Sequence, residues 1–192
     1  MTLAQAKPAK VQRSDNDIVE SASVTALMRY LLSKESGRAK NPDDLGNIFV
    51  NGKWTHYLDN PELAKETLQK KLPGCIYYHL IRTKHFDSSL LNWINRFPNS
   101  QVIILGSGFD SRPIRFKTLL TENHIKIYEV DLRALLHYKE ETIRQKLAFT
   151  LDNVKYVSCN FQRDNVIERR IQERSAIPRL SHALLNTSKG VL

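Results

Sequence analysis

The chain has 192 residues, 26% of them charged, and a formal net charge of +9. That length suits one domain with a real core, or most of a larger one. No apolar run approaches the roughly 20 residues of a bilayer crossing, so no membrane partner is expected. The opening MTLAQAKPAKVQRSDND has no apolar h-region, and residues 1–15 are expected to be a flexible polar tail. The basic residues are scattered, as at Lys70-Lys71, at Arg112 and Arg115, and at Arg169-Arg170. No Lys/Arg run is interleaved with aromatics, so the charge reads as a solvated basic surface rather than a nucleic-acid footprint. The six histidines lack ligand spacing, and no metal site is expected. Cys75 and Cys159 lack metal or redox spacing and read as reduced core thiols of a cytoplasmic protein.

In chain order, Ser14 and Asp17 offer N-caps for a helix running to about Ser33, with Ala22, Ala26 and Tyr30 on one stripe. Residues 34–44 read as loop around Gly37 and Pro42, and Asn51-Gly52 as a turn. Pro61 opens a short amphipathic helix carrying Leu63 and Leu68, which ends near Pro73-Gly74. Residues 74–97 read as a long helix with two apolar stripes. One holds Ile76, Leu80, Leu90 and Ile94; the other holds Tyr78, Phe86, Trp93 and Phe97. Arg82 falls on the second stripe, four residues from both Tyr78 and Phe86. A partly buried charge there needs a partner: either a structural ion pair or the carboxylate of a ligand.

From Gln101 the pattern changes. Residues 102–105 are an apolar run of the kind found in a central parallel strand. A helix over 111–120, a strand over 125–130, a helix over 132–147 and a strand over 154–157 follow. A charged helix is expected over about 164–174, and a fourth strand over 183–185. This alternation predicts a parallel sheet with right-handed crossovers.

The strand at 102–105 runs into Gly106-Ser107-Gly108, a dinucleotide-type loop. Asp131 lies 23 residues beyond Gly108, near the spacing of an acid that bonds ribose hydroxyls. Asp110 is awkward for a pyrophosphate, which favours a helix N-terminus free of negative charge, and Ser111 replaces the third glycine of the NAD fingerprint. A cofactor with an ammonium group and no phosphate suits the loop better. S-adenosyl-L-methionine is such a molecule: Asp110 would attract its ammonium side or hold the loop, and Arg82 would pair with its carboxylate.

The motifs IRTKHFD (81–87), VIILGSGFDSRPIRF (102–116), YEVDL (128–132) with Tyr138-Lys139, and VKYVSCNF (154–161) together resemble the leucine carboxyl methyltransferase family. SASVTALMRY (21–30) and NPDDLGNIF (41–49) are weaker matches. The resemblance implies an α/β, Rossmann-like three-layer parallel sheet of strand order 3-2-1-4 with an N-terminal helical cap. The division is then a tail over 1–15, a cap over 16–98 and a partial cofactor-binding domain over 99–192. It implies that Arg82 binds the cofactor carboxylate, that Gly106, Ser107 and Gly108 form its loop, and that Asp131 binds ribose, with Glu129 as runner-up. Asn160 and Phe161 match an Asp-Leu pair beside the adenine; the Asn oxygen still accepts from the adenine amine.

Two departures stand out. Lys189 stands where the family has Glu, and the chain ends where relatives continue through further strands, which reads as a C-terminally truncated, incomplete sheet. The implied activity is S-adenosylmethionine-dependent methyl transfer to oxygen, with a carboxylate favoured. The acceptor, a small molecule or a protein carboxylate, is not identified, and no catalytic base is named because a carboxylate is already ionised near neutral pH. The alternative is a non-catalytic remnant that binds the cofactor weakly or not at all. An NAD-linked oxidoreductase is disfavoured by Asp110 and Ser111.

Overall fold

A capping box opens the first helix, α1 (Asp15–Leu31): Ser14 Oγ accepts from Asp17 N, and Asp17 Oδ2 accepts from Ser14 N at 3.1 Å. The computed structural model describes residues 14–164 and the backbone of residues 183–187. The charged helix expected over 164–174 falls almost entirely outside the described residues, and Lys189 and the tail over 1–13 lie outside them. α1 buries Val24, Ala26, Leu27, Met28 and Leu31, a wider face than the Ala22–Ala26–Tyr30 stripe.

Three short 3-10 turns follow, at Gly37–Ala39, Asp44–Phe49 and Gly52–Tyr57. Sequence periodicity predicts none of them, because segments this short carry no repeat. Gly46 lets the second turn lie directly on α1: a Cβ there would collide with the carbonyl oxygen of Ala26 and crowd Cβ of Tyr30.

Helix α2 (Pro61–Lys71) has proline in its first turn, where no intrahelical N–H is lost. It buries Ala64 and Leu68, while Leu63 is exposed, so the stripe is rotated by one residue from the expectation. Helix α3 (Cys75–Arg96) begins after Gly74, whose φ is +78°. It buries Ile76, Leu80, Leu90 and Ile94, the first predicted stripe. The second stripe is only partly covered: Trp93 Nε1 donates to Ser100 Oγ at 2.8 Å, whereas Tyr78 is exposed.

The α/β part is a parallel sheet. Strand β1 (Gln101–Leu105) pairs with β2 (Lys126–Asp131), which pairs with β3 (Val154–Ser158). The backbone of β4 (Ala183–Thr187) pairs with β1 on its other side, so the order is β3-β2-β1-β4. The expected helix over 111–120 is two pieces, α4 (Arg112–Arg115) and α5 (Lys117–Glu122). The break is at Phe116, whose N–H is shared between the carbonyls of Arg112 and Ile114. Helix α6 (Arg133–Leu147) crosses from β2 towards β3.

One face of the sheet presents Val102, Ile104 and Ile127 to the largest apolar cluster. Ala26 of α1, Leu90 and Ile94 of α3, and Leu135 and Ile143 of α6 join them. Ile103, Tyr128, Val130 and Val157 form a cluster on the opposite face, as strand alternation requires. A third cluster, with Leu27, Leu31, Leu68, Ile76 and Leu80, joins α1, α2 and α3.

Candidate functional site

The glycine loop bends sharply off β1. Gly106 and Gly108 have φ of +60° and +47°, a region where side-chain-bearing residues are strained. The two left-handed residues carry Phe109 back into the core, where it is 2% exposed and stacks on Phe49 at 5.0 Å between ring centroids. The loop is also sewn to β2. Gly106 N donates to the Val130 carbonyl at 2.8 Å, and Gly108 N donates to Asp131 Oδ2 at 2.7 Å.

A cleft of about 2550 Å³ opens at the C-terminal ends of β1, β2 and β3, the place where parallel sheets generally bind ligands. Arg82, Gly106, Ser107, Gly108, Asp110, Asp131, Asn160 and Phe161 all line it. Among the described residues nothing lies within 4 Å of where a Gly108 Cβ would stand, and its bare backbone lines the cleft. Ser107 is 5% exposed and its Oγ has no hydrogen-bond partner among the described residues.

Asp131 sits where β2 ends. Its Oδ1 accepts from Leu132 N at 2.7 Å while Oδ2 holds Gly108 N. Burial pushes its carboxyl up, and the two backbone N–H groups oppose that rise. Each carboxylate oxygen retains a lone pair for a hydroxyl donor in the cleft.

Arg82 projects from α3. Its guanidinium carbon lies 5.0 Å from the centroid of Phe86, and Nη1 donates to Tyr78 Oη at 3.4 Å. Among the described residues it has no salt bridge, so the structural ion pair considered from sequence does not form among them. His79, three residues earlier, also lines the cleft. Burial first, then the charges of Arg29 and Arg82, bring its pKa down to about 4, which leaves a neutral imidazole near neutral pH.

One sequence assignment needs correction, and a second is narrowed. Glu129 is 0% exposed and does not line the cleft. It shares a sheet face with Ile127, turned towards α6, where Lys139 Nζ binds both of its oxygens at 2.6 and 2.7 Å. Burial pushes the Glu129 carboxyl up to about 7, against the pull of Lys139. Glu129 therefore belongs to a buried ion pair and is not available as a ribose ligand. Asp110 is also occupied. Its Oδ1 accepts from Arg112 N and Arg112 Nε, both at 2.9 Å, and its Oδ2 takes Arg112 Nη2. Burial disfavours its charge, but Arg112 outweighs burial and holds the carboxyl well below the usual range. Of the two roles read from sequence, holding the loop is the one its contacts serve.

Asn160 and Phe161 lie just past β3. Asn160 Oδ1 accepts from Gln162 N at 3.0 Å, which leaves one lone pair and the amide N–H groups. Phe161 is 41% exposed at the cleft.

A charged network that sequence reasoning missed joins the N-terminal helices to this loop. Arg29 donates through Nη2 to the Phe109 carbonyl at 2.7 Å and through Nε to Asp43 at 2.6 Å. Arg115 clasps Asp87 with both terminal nitrogens and donates through Nε to Ser111 Oγ at 2.9 Å. Asp43, Asp87 and Arg115 all fall inside the quoted motifs, but Arg115 Nε also lies 3.9 Å from Oδ1 of Asp43, 72 residues earlier, and sequence spacing carries no signal for that.

Residues 22–179 match the protein family described as leucine carboxyl methyltransferase. A search among curated proteins gave no match.

Proposed function

Because the chain belongs to the leucine carboxyl methyltransferase family, we propose that the cleft binds S-adenosyl-L-methionine and that the protein transfers its methyl group to an oxygen acceptor, a carboxylate by preference. The observation that carries this reading is Arg82: a guanidinium in a cleft with the glycine loop, held by an aromatic ring and a phenol and by no carboxylate of the described chain. An anionic ligand group is the missing partner, since an unpaired partly buried charge is unfavourable.

The residues present fit that cofactor. Arg82 would take the carboxylate, and the bare Gly106–Gly108 backbone with Ser107 Oγ would lie against the aminoacyl chain. Asp131 would accept from the ribose hydroxyls, and Asn160 and Phe161 would flank the adenine. The sheet is then part of a Rossmann-like domain of order 3-2-1-4 over residues 99–192, and residues 16–98 are its helical cap.

The bound cofactor would supply an electrophilic methyl group on a sulfonium. The chain's own contribution is to position the two ligands and exclude water. A carboxylate acceptor needs no general base, and none is assigned. The neutral His79 imidazole adds no further positive charge to the cleft, and Arg29 is engaged by Asp43, so Arg82 remains the attractor of an anionic ligand. The low disulfide demand, with Cys75 and Cys159 both outside any disulfide, agrees with a cytoplasmic setting. No helix among the described residues is long and apolar enough to cross a membrane.

The test uses tritiated methyl donor and a lysate as acceptor pool, followed by mild alkali. Carboxyl methyl esters release volatile tritiated methanol; methylated amines and ethers do not. Alkali-labile transfer supports the reading. Alkali-stable product would replace carboxylate with another acceptor, and no transfer with a folded protein would reject the activity.

A further inference from the structure

Resting on that cofactor reading, we propose that Phe86 is a positioning residue, whose ring carries the placement of the glycine loop across to Arg82 and thereby aims the guanidinium at the carboxylate of the ligand. Phe86 stands one helical turn beyond Arg82 on α3 and is half-buried in the wall of the cleft. Two guanidinium carbons lie over its ring, Arg82 at 5.0 Å and Arg112 at 5.2 Å from the centroid. Both distances are within the range of a cation–π contact.

Two cations on one ring would repel each other unless one were neutralised. Arg112 is: its guanidinium is held by the Asp110 carboxylate through Nε at 2.9 Å and through Nη2. Asp110 in turn accepts from Arg112 N, so the ion pair is locked to the backbone at the start of α4. The ring therefore rests against a fixed, neutral pair on the loop side and presents its attraction to a net cation on the other partner. Among the described residues Arg82 has little else to fix it. Its remaining bond, to Tyr78 Oη, is 3.4 Å long, and Tyr78 is itself exposed. An arginine without the ring would sample many rotamers, and ordering them on ligand binding would cost entropy. The line Asp110–Arg112–Phe86–Arg82 thus couples the loop that would hold the middle of the ligand to the group that would hold its carboxylate end.

The prediction is selective for one end of the ligand. S-adenosylhomocysteine carries the amino-acid end; 5′-methylthioadenosine lacks it. Calorimetry on the full chain should show Phe86→Leu weakening S-adenosylhomocysteine about fivefold, with 5′-methylthioadenosine unchanged. Phe86→Tyr, which keeps the ring, should stay within about twofold of wild type. In an Arg82→Gln background Phe86→Leu should cost nothing more. Should Phe86→Leu fail to fold, the near-isosteric Phe86→Met is titrated instead. A second readout leaves the ring in place: the Arg82 Nε–H resonance of the wild-type chain, identified by its loss in Arg82→Gln, should be shifted upfield by the ring current. Equal loss for both ligands, no loss for either, or an unshifted resonance each overturns the proposal. A folded wild-type chain that binds neither ligand overturns the cofactor reading itself, and this proposal with it; binding with an indifferent Phe86 overturns this proposal alone.

Discussion

Arg115 and Asp87 meet in a two-pronged ion pair, at 2.7 and 2.8 Å, that fastens α4 to the middle of α3. Both side chains are about nine-tenths buried. Removing one partner leaves the other charge stranded, so Asp87→Ala should destabilise the fold by about 3–5 kcal/mol. The double variant Asp87→Ala with Arg115→Met should cost less than the sum of the two single variants Asp87→Ala and Arg115→Met. Urea unfolding of the four proteins checks this, and strict additivity would mean that the pair is not coupled.

Asp131 and Glu129 should separate cleanly. Asp131→Ala removes a carboxylate facing the cleft and the acceptor for Gly108 N, and should weaken S-adenosylhomocysteine by about 1–3 kcal/mol. The loss should be smaller for the 2′-deoxy analogue, which lacks one of the two hydroxyls. Glu129→Gln should instead lower stability while treating the two ligands alike. A Glu129 variant that discriminates ribose from deoxyribose would restore Glu129 as the ribose ligand.

His79 gives a pH signature. Its pKa is pushed from 6.5 to about 4, by burial and then by Arg29 and Arg82. Between those values the unfolded chain binds a proton here that the folded chain does not. Stability contributed by this group is therefore present above the upper value, is lost as pH falls through the window, and is flat below the lower one. Wild type should lose more stability than His79→Gln between pH 6.5 and 4.5 in urea titrations. The imidazole Cε1–H resonance should titrate near 4; a midpoint near 6.5 would contradict the burial argument.

Gly46→Ala should destabilise by about 1–3 kcal/mol, because the new methyl group meets the Ala26 carbonyl oxygen and must push the 3-10 turn off α1. Gly37→Ala makes a useful control. It meets no neighbour but adopts φ of +58°, so its cost is backbone strain alone, about 1 kcal/mol. Thermal unfolding that ranks the two in the opposite order would show that the turn can give way.

What could be read from the sequence was local. Gly-Ser-Gly after an apolar run demands two left-handed residues, and Asp131 at the end of the next strand falls beside them by strand alternation and the crossover. Arg82 could be placed on the right stripe by periodicity alone. Asp110 was harder, because its competitor for a ligand lies two residues away: the Asp-Ser-Arg spacing closes a local turn that satisfies the carboxylate within the chain. Glu129 shares the strand face of Asp131, so periodicity cannot tell them apart. The difference is that α6 brings Lys139 over one and the cleft opens over the other. The break at Phe116, the rotated face of α2 and the 3-10 turns depend on tertiary packing that no repeat announces. Arg29 reaching the Phe109 carbonyl across 80 residues is of the same kind.

Binding of S-adenosylmethionine in the cleft, with its carboxylate on Arg82, is the step on which the proposed function stands. The most direct measurement is calorimetric titration of S-adenosylhomocysteine into the folded wild-type chain and into Arg82→Met. Saturable binding at one site is expected, weakened at least about tenfold in Arg82→Met by loss of a charged hydrogen-bond donor, with the thermal unfolding of the two proteins closely similar. Absence of binding to the wild-type chain, or equal affinity in Arg82→Met, would contradict it.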